Sequence, residues 1–290
     1  MTTIAPSQVM CKEILVASDL SEVSENALGY AKSIAKRFGS HILLVHTSPA
    51  VNAIPIPQGG WVQDRSEAHV EEQLEAAGIA LRAEGFLADA VNAHGSVKNE
   101  IEFLANSHHA DLIVLGTHGR RGLNRLIFGS EAEAVTRSAA CPVLTVGPSA
   151  SPAPPGAWIP KNILCAISLD PRGVEAATYG FTLSDSLGAD FALVSVVDRA
   201  HSSDEKAWQI FERAFAQALP DGDIRRCKVH HLRTSEKTAD KIIDVAKTFK
   251  ADLIVMGAKG PSLAATHLHA GVVTQVLVNA RCPVLTIRAD

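Results

Sequence analysis

Short, almost continuously apolar runs alternate along this chain with longer stretches whose apolar residues recur every three or four positions. The apolar runs are rich in leucine and β-branched residues, which is typical of buried strands in a parallel sheet. In the first half they are EILVAS (13–18), HILLVHT (41–47), LADAVNA (87–93), DLIVLG (111–116) and PVLTV (142–146). The pattern therefore predicts five strands in this half.

The stretches between these runs have the spacing of amphipathic helices. The first predicted helix ends at Gly39, and its apolar stripe consists of Ala27, Leu28, Ala31, Ile34, Ala35 and Phe38. A second helix is predicted over 64–84, a third over 97–107 and a fourth from Ser130. Strands and helices thus alternate, and this order indicates a doubly wound parallel sheet with right-handed crossovers.

The chain also contains an internal repeat. ADLIVLGTHG (110–119) matches ADLIVMGAKG (251–260), and CPVLTV (141–146) matches CPVLTI (282–287) at the same offset. The second copy repeats the order of strands with NILCAI, ADFALVSVV, IRRCKVHHL, DLIVMG and PVLTI. We therefore predict an α/β protein of two tandem Rossmann-like domains, each a five-stranded parallel sheet with helices on both faces.

The segment between the two copies is rich in proline, with five prolines in GPSASPAPPGAWIPK. Proline cannot donate a backbone hydrogen bond and fixes φ, so this segment favours a semi-extended linker over a helix or an inner strand. The predicted division is a first domain over 1–147, a linker over 148–160 and a second domain over 161–290.

Composition narrows the range of functions. Of the 290 residues, 47% are hydrophobic and 20% are charged, as in globular rather than disordered proteins. The net charge of −4 argues against a nucleic-acid partner. No apolar run in the sequence reaches the roughly 18 residues that are needed to span a bilayer. The first residues also do not have the pattern of a signal peptide, so we expect no membrane association. The five cysteines, an odd number without a CxxC pair, indicate the reduced thiols of a cytoplasmic protein.

Two segments should meet at the carboxyl ends of the strands, where ligands bind in open α/β sheets. Ser18 and Asp19 follow the first strand, and the stretch from Gly116 to Gly119 follows the fourth. These two glycines would permit both turns with positive φ and a close approach of the backbone to a ligand. Asp19 could accept hydrogen bonds from ribose hydroxyls, or it could be the N-cap of the following helix or a turn residue.

Gly129 and Ser130 stand directly before the helical pattern EAEAVTRSA. The free N–H groups and positive dipole at a helix start suit a phosphate group. Ser130 could bind a phosphate oxygen or form a capping box with Glu133, and the two roles are compatible. The arginines of the preceding loop, Arg120, Arg121 and Arg125, could contact phosphate or serve solubility.

The spacing Gly116-x-x-Gly119, nine residues, Gly129-Ser130 reproduces the G-2x-G-9x-G-[S/T] motif of the universal stress protein family. The chain also resembles that family in ILVASDLSE, in LLVHTSP, in the turn at Gly95 and in CPVLTV. The resemblance extends over both copies, so the chain is identified as a tandem member. It implies binding of ATP or a related adenine nucleotide, with Mg²⁺ as the accompanying divalent cation.

The resemblance also implies roles for residues at matching positions. The backbone around Ala17 and Ser18, together with that of Thr47, would face the adenine, and Asp19 would meet the ribose. The motif glycines and Ser130 would hold the phosphates. The complete predicted site consists of Ala17, Ser18, Asp19, Thr47, Gly116, Thr117, His118, Gly119, Arg120, Gly129, Ser130 and Glu131.

Glu131 departs from the small apolar residue that the family commonly has after the serine. An acid there could repel a triphosphate or point into solvent from the first helical turn. We expect the second arrangement, because glutamate is favourable at a helix start.

The second copy keeps the first two glycines of the motif but has Ala270-Gly271 in place of Gly-Ser. Ser168 replaces the acid that follows the first strand, and Pro261 stiffens the loop. Lys259 could compensate in part. We therefore expect weak or absent nucleotide binding in the second half.

Three functions remain open: a nucleotide-binding stress-response or regulatory protein, which we favour, a slow ATPase, and an interaction module with vestigial sites. His118 and Glu131 are the candidates for activating water, and we assign no catalytic residue. His108-His109, His230-His231 and His267-x-His269 fall short of the three convergent ligands that a metal site needs, so no metal-ligating side chains are predicted.

The resemblance finally implies pairing between the last strands of the two halves, Pro142–Val146 and Pro283–Ile287. This pairing would cover two exposed sheet edges. A further homodimer is compatible with it.

Overall fold

The computed structural model describes residues 11–49, 65–117, 129–154, 158–198, 204–219, 227–234, 237–259 and 271–289. The first half contains β1 (Glu13–Ala17), α1 (Glu22–Phe38), β2 (His41–Ser48), α2 (Arg65–Ala83), β3 (Leu87–His94), α3 (Val97–Ser107), β4 (Leu112–Gly116), α4 (Ser130–Ser138) and β5 (Val143–Val146). The second half contains β6 (Asn162–Ile167), α5 (Pro171–Leu187), β7 (Asp190–Asp198), α6 (Asp204–Ala218), β8 (Lys228–Thr234), α7 (Thr238–Phe249), β9 (Leu253–Lys259), α8 (Val272–Asn279) and β10 (Val284–Ala289). The predicted alternation of strands and helices is confirmed in both halves.

The described strands form one ten-stranded sheet in the order β3-β2-β1-β4-β5-β10-β9-β6-β7-β8. Pairing is parallel within each half. It is antiparallel between β5 and β10, where Leu144 lies opposite Leu285. Most strands differ from their predicted bounds by one or two residues. β8, β9 and β10 each end two residues beyond the runs IRRCKVHHL, DLIVMG and PVLTI, and the first three residues of IRRCKVHHL lie outside the described part.

Helices cover both faces of the sheet, as predicted. Alternate side chains of β1 enter different cores, because successive residues of a strand point to opposite faces. Ile14 and Val16 belong to a buried cluster that includes Ala27 of α1. Leu15 belongs to the cluster on the other face, which includes Ile101 of α3. The long apolar runs in the sequence thus reflect strands that are buried on both sides.

The order of the strands reverses at β1. This strand lies between β2 and β4, so the chain first winds toward β3 and then returns to the other side of β1 to form β4 and β5. Such a reversal leaves a crevice at the carboxyl ends of the two central strands. Both segments predicted to bind a ligand follow these strands, β1 and β4.

The linker is attached to α1 over its described residues, where it forms neither helix nor strand. The Tyr30 hydroxyl donates to the Ser151 carbonyl oxygen at 2.8 Å, and Ala153 N donates to Asn26 Oδ1 at 2.8 Å. The ring of Trp158 packs edge-on against that of Tyr30, with the centroids 4.8 Å apart. The linker therefore ties the first helix of one half to the beginning of the other.

Among the helices that the structure describes, none combines the length and the apolar character needed to cross a membrane.

Candidate functional site

The turn after β1 is held by a compact set of hydrogen bonds. Ser18 N donates to the Val45 carbonyl oxygen at 2.8 Å. His46 Nδ1 lies 2.8 Å from the Ser18 carbonyl oxygen, and since a carbonyl can only accept, Nδ1 carries the proton. Leu20 then adopts the left-handed conformation, with φ of 61°. This conformation is unusual for a residue with a side chain, and it turns the chain from the strand toward α1.

Asp19 is partly exposed, and its side chain is held by Ser21, just before α1. Its Oδ1 accepts from Ser21 N at 3.1 Å and from Ser21 Oγ at 2.5 Å. Ser21 is the N-cap of α1 and forms a capping box with Ser24. Asp19 is therefore not the N-cap, but its bond to the backbone two residues further on is that of a turn residue, the other alternative role. The carboxylate instead has a fixed orientation at the mouth of the crevice.

Gly116 at the end of β4 lies against the first turn of α1. A Cβ at this position would lie 3.1 Å from Val23 Cγ1 and 3.4 Å from the Val23 carbonyl oxygen. Among the described glycines, those with positive φ are Gly39, Gly85, Gly95 and Gly188. Gly116 therefore does not use the positive φ that a glycine permits, and close packing against Val23 explains why a glycine occupies this position.

The start of α4 is joined directly to the end of β4. Gly129 N donates to the Thr117 carbonyl oxygen at 3.1 Å, and a Cβ on Gly129 would lie 3.3 Å from that oxygen. The two ends of the segment 118–128 are therefore held together. Three predicted site residues, His118, Gly119 and Arg120, lie outside the described residues.

Ser130 is the first residue of α4, and Gly129 is its N-cap. The capping box from Ser130 to Glu133 is therefore wrong: Glu133 N donates to the Gly129 carbonyl oxygen at 2.9 Å instead. A glycine cap has no side chain to accept from the first N–H groups of the helix. Ser130 is exposed at this point, next to those groups in the chain.

Glu131 is exposed, but it does not simply extend into solvent. Its Oε2 accepts from Lys98 N at 3.3 Å, in the first turn of α3. The carboxylate therefore lies between the starts of two helices.

Thr47 lies within β2, opposite Ala93 of β3. The register between β1 and β2 ends at the pair Ala17 and Val45. β2 therefore continues past the end of β1, and its backbone at Thr47 borders the crevice.

The structure places the described members of the predicted site at one edge of the sheet. Ala17 pairs with Leu115 in the register of β1 and β4, which brings the turn around Asp19 next to Gly116. Sequence reasoning missed His46, which is buried and positions Ser18. The available signal was a polar residue at an inward position of an otherwise apolar strand.

The second half has the same two polar groups after its first strand, with the residue types exchanged. Ser168 takes the place of Asp19, and Asp170 takes the place of Ser21. Ser168 Oγ donates to Asp170 Oδ1 at 2.9 Å, and Asp170 caps α5 through Gly173 N at 3.0 Å. The carboxylate of this half therefore caps a helix.

Arg172 forms a salt bridge with the other oxygen of that carboxylate, and its Nη2 lies 3.1 Å from Asp170 Oδ2. Burial alone would raise the pKa of Asp170, but hydrogen bonds from Gly173 N, Ser168 and Arg172 lower it below its ordinary value. Asp170 is thus already engaged on both oxygens, whereas the position equivalent to Asp19 has only a hydroxyl.

The repeat offers a matched test of the packing at Gly116. We expect Gly116→Ala to lower the free energy of unfolding by about 1–2 kcal/mol, because the added methyl group overpacks the contact with Val23. The equivalent change, Gly257→Ala, should cost clearly less, since its methyl group would lie 3.6 Å from the nearest atom of the described residues, the Arg172 carbonyl oxygen. Urea denaturation measures both variants, and equal losses would contradict this account.

Three comparisons with known proteins agree with this architecture. A sequence model of the universal stress protein family matches residues 10–147 and 160–288. A universal stress protein of Methanocaldococcus jannaschii is 33% identical over 138 residues, which are 47% of this chain and 81% of that protein. One from Mycobacterium tuberculosis is 25% identical over 301 residues, covering 95% of this chain and 96% of the other. A crystal structure of a universal stress protein from Archaeoglobus fulgidus shares the fold, with a TM-score of 0.71 at 18% identity over 98% of both chains.

Proposed function

This chain belongs to the universal stress protein family, and from that premise we propose that it is a stress-response regulatory protein whose N-terminal half binds ATP. The observation that carries the proposal is the juxtaposition of Asp19 with the Gly129–Ser130 start of α4 across the switch point. The first offers a carboxylate to ribose hydroxyls, and the second offers backbone N–H groups to phosphate oxygens.

The glycine at the start of α4 supports the phosphate part of the proposal. Gly129 approaches Thr117 so closely that a Cβ would lie 3.3 Å from its carbonyl oxygen, so α4 begins directly at the end of β4. Its first N–H groups and the Ser130 hydroxyl then lie at the carboxyl edge of the sheet. A phosphate group there would receive hydrogen bonds from the backbone and the favourable end of the helix dipole.

The adenine would lie where β2 extends past β1. Its polar edge could exchange hydrogen bonds with the backbone near Thr47 and near Ala17–Ser18, as the family resemblance implies. His46 would hold this wall in place through the Ser18 carbonyl oxygen, at 2.8 Å. The nucleotide would thus span the crevice from β2 to α4.

Mg²⁺ would accompany the phosphates rather than occupy a protein cage. Within the described part of the chain there is no group of three histidine, cysteine or acidic residues that could hold a metal ion. Mg²⁺ commonly keeps several waters and binds through the phosphates of its nucleotide. The proposed ligand of the Asp19 carboxylate and of the N–H groups at the start of α4 is therefore the nucleotide rather than a free cation.

We favour binding over hydrolysis. Glu131, one of two residues considered for activating water, has an oxygen engaged with Lys98 N, which argues against its use as a general base. The other, His118, lies outside the described residues.

The proposal also includes the division of the chain at residues 148–160 and the pairing of the two halves through β5 and β10 in solution. It further includes a cytoplasmic location, where reduced cysteines persist.

The proposal predicts one bound nucleotide per chain. Protein purified without added nucleotide should release an adenine nucleotide in acid, identified by chromatography, and titration calorimetry with ATP and Mg²⁺ should give a stoichiometry near one per chain. A stoichiometry of two nucleotides per chain would contradict the expected loss of nucleotide binding in the second half. An absence of released nucleotide, heat and thermal shift would overturn the proposal in favour of an interaction module, and sustained phosphate release would favour the ATPase.

A further inference from the structure

The starts of α3 and α4 lie side by side. α3 begins after Ser96 and α4 after Gly129, and both follow the carboxyl ends of strands. Their side chains share one buried cluster, to which Ile101 of α3 and Val135 of α4 belong. The positive ends of both helix dipoles therefore face the same edge of the sheet.

A protein carboxylate already lies between these two helix starts. Glu131 belongs to the first turn of α4, and its Oε2 accepts from Lys98 N in the first turn of α3 at 3.3 Å. Because it is anchored at both helices, its position is better defined than that of an ordinary surface glutamate. It directly follows Ser130, the residue proposed to hold phosphate.

The basic side chains of α3 and α4 are paired with other acids, so neither of them compensates the negative charge of the Glu131 carboxylate. Lys98 Nζ pairs with Glu102 at 2.9 Å, and Arg137 pairs with Glu133 at 3.5 Å. The two helices together have four acids against these two bases, which gives them a net charge of −2. The acids are Glu100, Glu102, Glu131 and Glu133. Phosphate binding at α4 therefore works against a negative side-chain charge.

We propose that Glu131 determines how the N-terminal site discriminates among adenine nucleotides by charge, an inference that rests on the proposed function. The carboxylate weakens the binding of each added phosphate, so that the preference for ATP over ADP and AMP is smaller than it would be without this charge. Two unit charges about 8 Å apart in water change a binding constant about twofold. AMP and ATP differ by about two charges, so Glu131 reduces the preference for ATP by about fourfold.

The test is Glu131→Gln, which removes the charge and keeps an oxygen that can accept from Lys98 N. Titration calorimetry with AMP, ADP and ATP, each without Mg²⁺ and at low salt, gives the ratio of the ATP and AMP affinities. We expect this ratio to rise about fourfold in the variant and the difference to shrink at high salt through screening. A ratio is insensitive to the fraction of protein that is folded.

Glu133→Gln is the matched control, since Glu133 also lies in the first turn of α4 but is paired with Arg137. It should leave the ratio within a factor of two of the original. An unchanged ratio in Glu131→Gln, with nucleotides still bound, would overturn the role of Glu131 and leave the proposed function standing. Failure of all three nucleotides to bind the unmodified chain would overturn both.

Discussion

Replacing Asp19 with asparagine will lower the affinity of the chain for ATP by about tenfold to a hundredfold. A hydrogen bond to a charged group contributes about 1.5–3 kcal/mol, and a factor of ten in affinity corresponds to about 1.4 kcal/mol. Asparagine keeps Oδ1, which accepts from Ser21 N at 3.1 Å and from Ser21 Oγ at 2.5 Å. The start of α1 should therefore be retained while the charge is lost.

The control for Asp19 is Ser168→Ala, at the equivalent position of the second half. This change removes a hydrogen bond to Asp170 but lies outside the proposed site, so the affinity for ATP should stay the same. Calorimetric titration measures both variants, and their melting temperatures report whether they fold. If Asp19→Asn binds ATP as tightly as the original chain, the carboxylate does not contact the nucleotide and the orientation proposed for the ligand is wrong.

Replacing Gly147 with alanine will destabilise the contact between the two halves by about 3 kcal/mol, at the upper end of overpacking effects. A Cβ on Gly147 would lie 2.1 Å from the Leu277 carbonyl oxygen of α8. Both groups belong to the backbone, so relief requires a shift of β5 or of α8. Because β5 also pairs with β10, such a shift disturbs the centre of the sheet.

Gly271→Ala is the matched control for Gly147. It makes the same change at the N-cap of α8, where φ is −60° and an added Cβ would meet no atom of the described residues within 4 Å. Alanine is a poorer N-cap than glycine, and the expected cost is below about 1 kcal/mol. Urea and thermal denaturation compare the two variants. Equal effects would contradict the packing of Gly147 against α8.

The elements of the fold could be predicted from the sequence because burial leaves a local signature. The run ILVA of β1 is apolar at every position since both of its faces are covered. The stripe of α1 and its terminal Gly39, with φ of 69°, likewise depend on residues close together in the chain. The switch point follows from the order of such elements, because few topologies satisfy the rules for their connections.

The environment of the site could be predicted only in outline. The motif identified Gly116 and Gly129, but it did not reveal that the first packs against Val23 or the second against Thr117. His46 was missed because its role depends on a contact with Ser18 of the neighbouring strand. Each of these contacts joins separate elements, and their geometry depends on how the elements pack.

The sequence by itself thus determined the tandem α/β architecture and the glycine motif, since periodicity, internal repetition and spacing are properties of the chain. The tertiary structure decided the placement of Glu131 at the start of α3, the use of Asp170 as a helix cap and the close approach of Gly147 to Leu277. These features depend on distances between elements, because an ångström at such a contact separates ordinary packing from a clash.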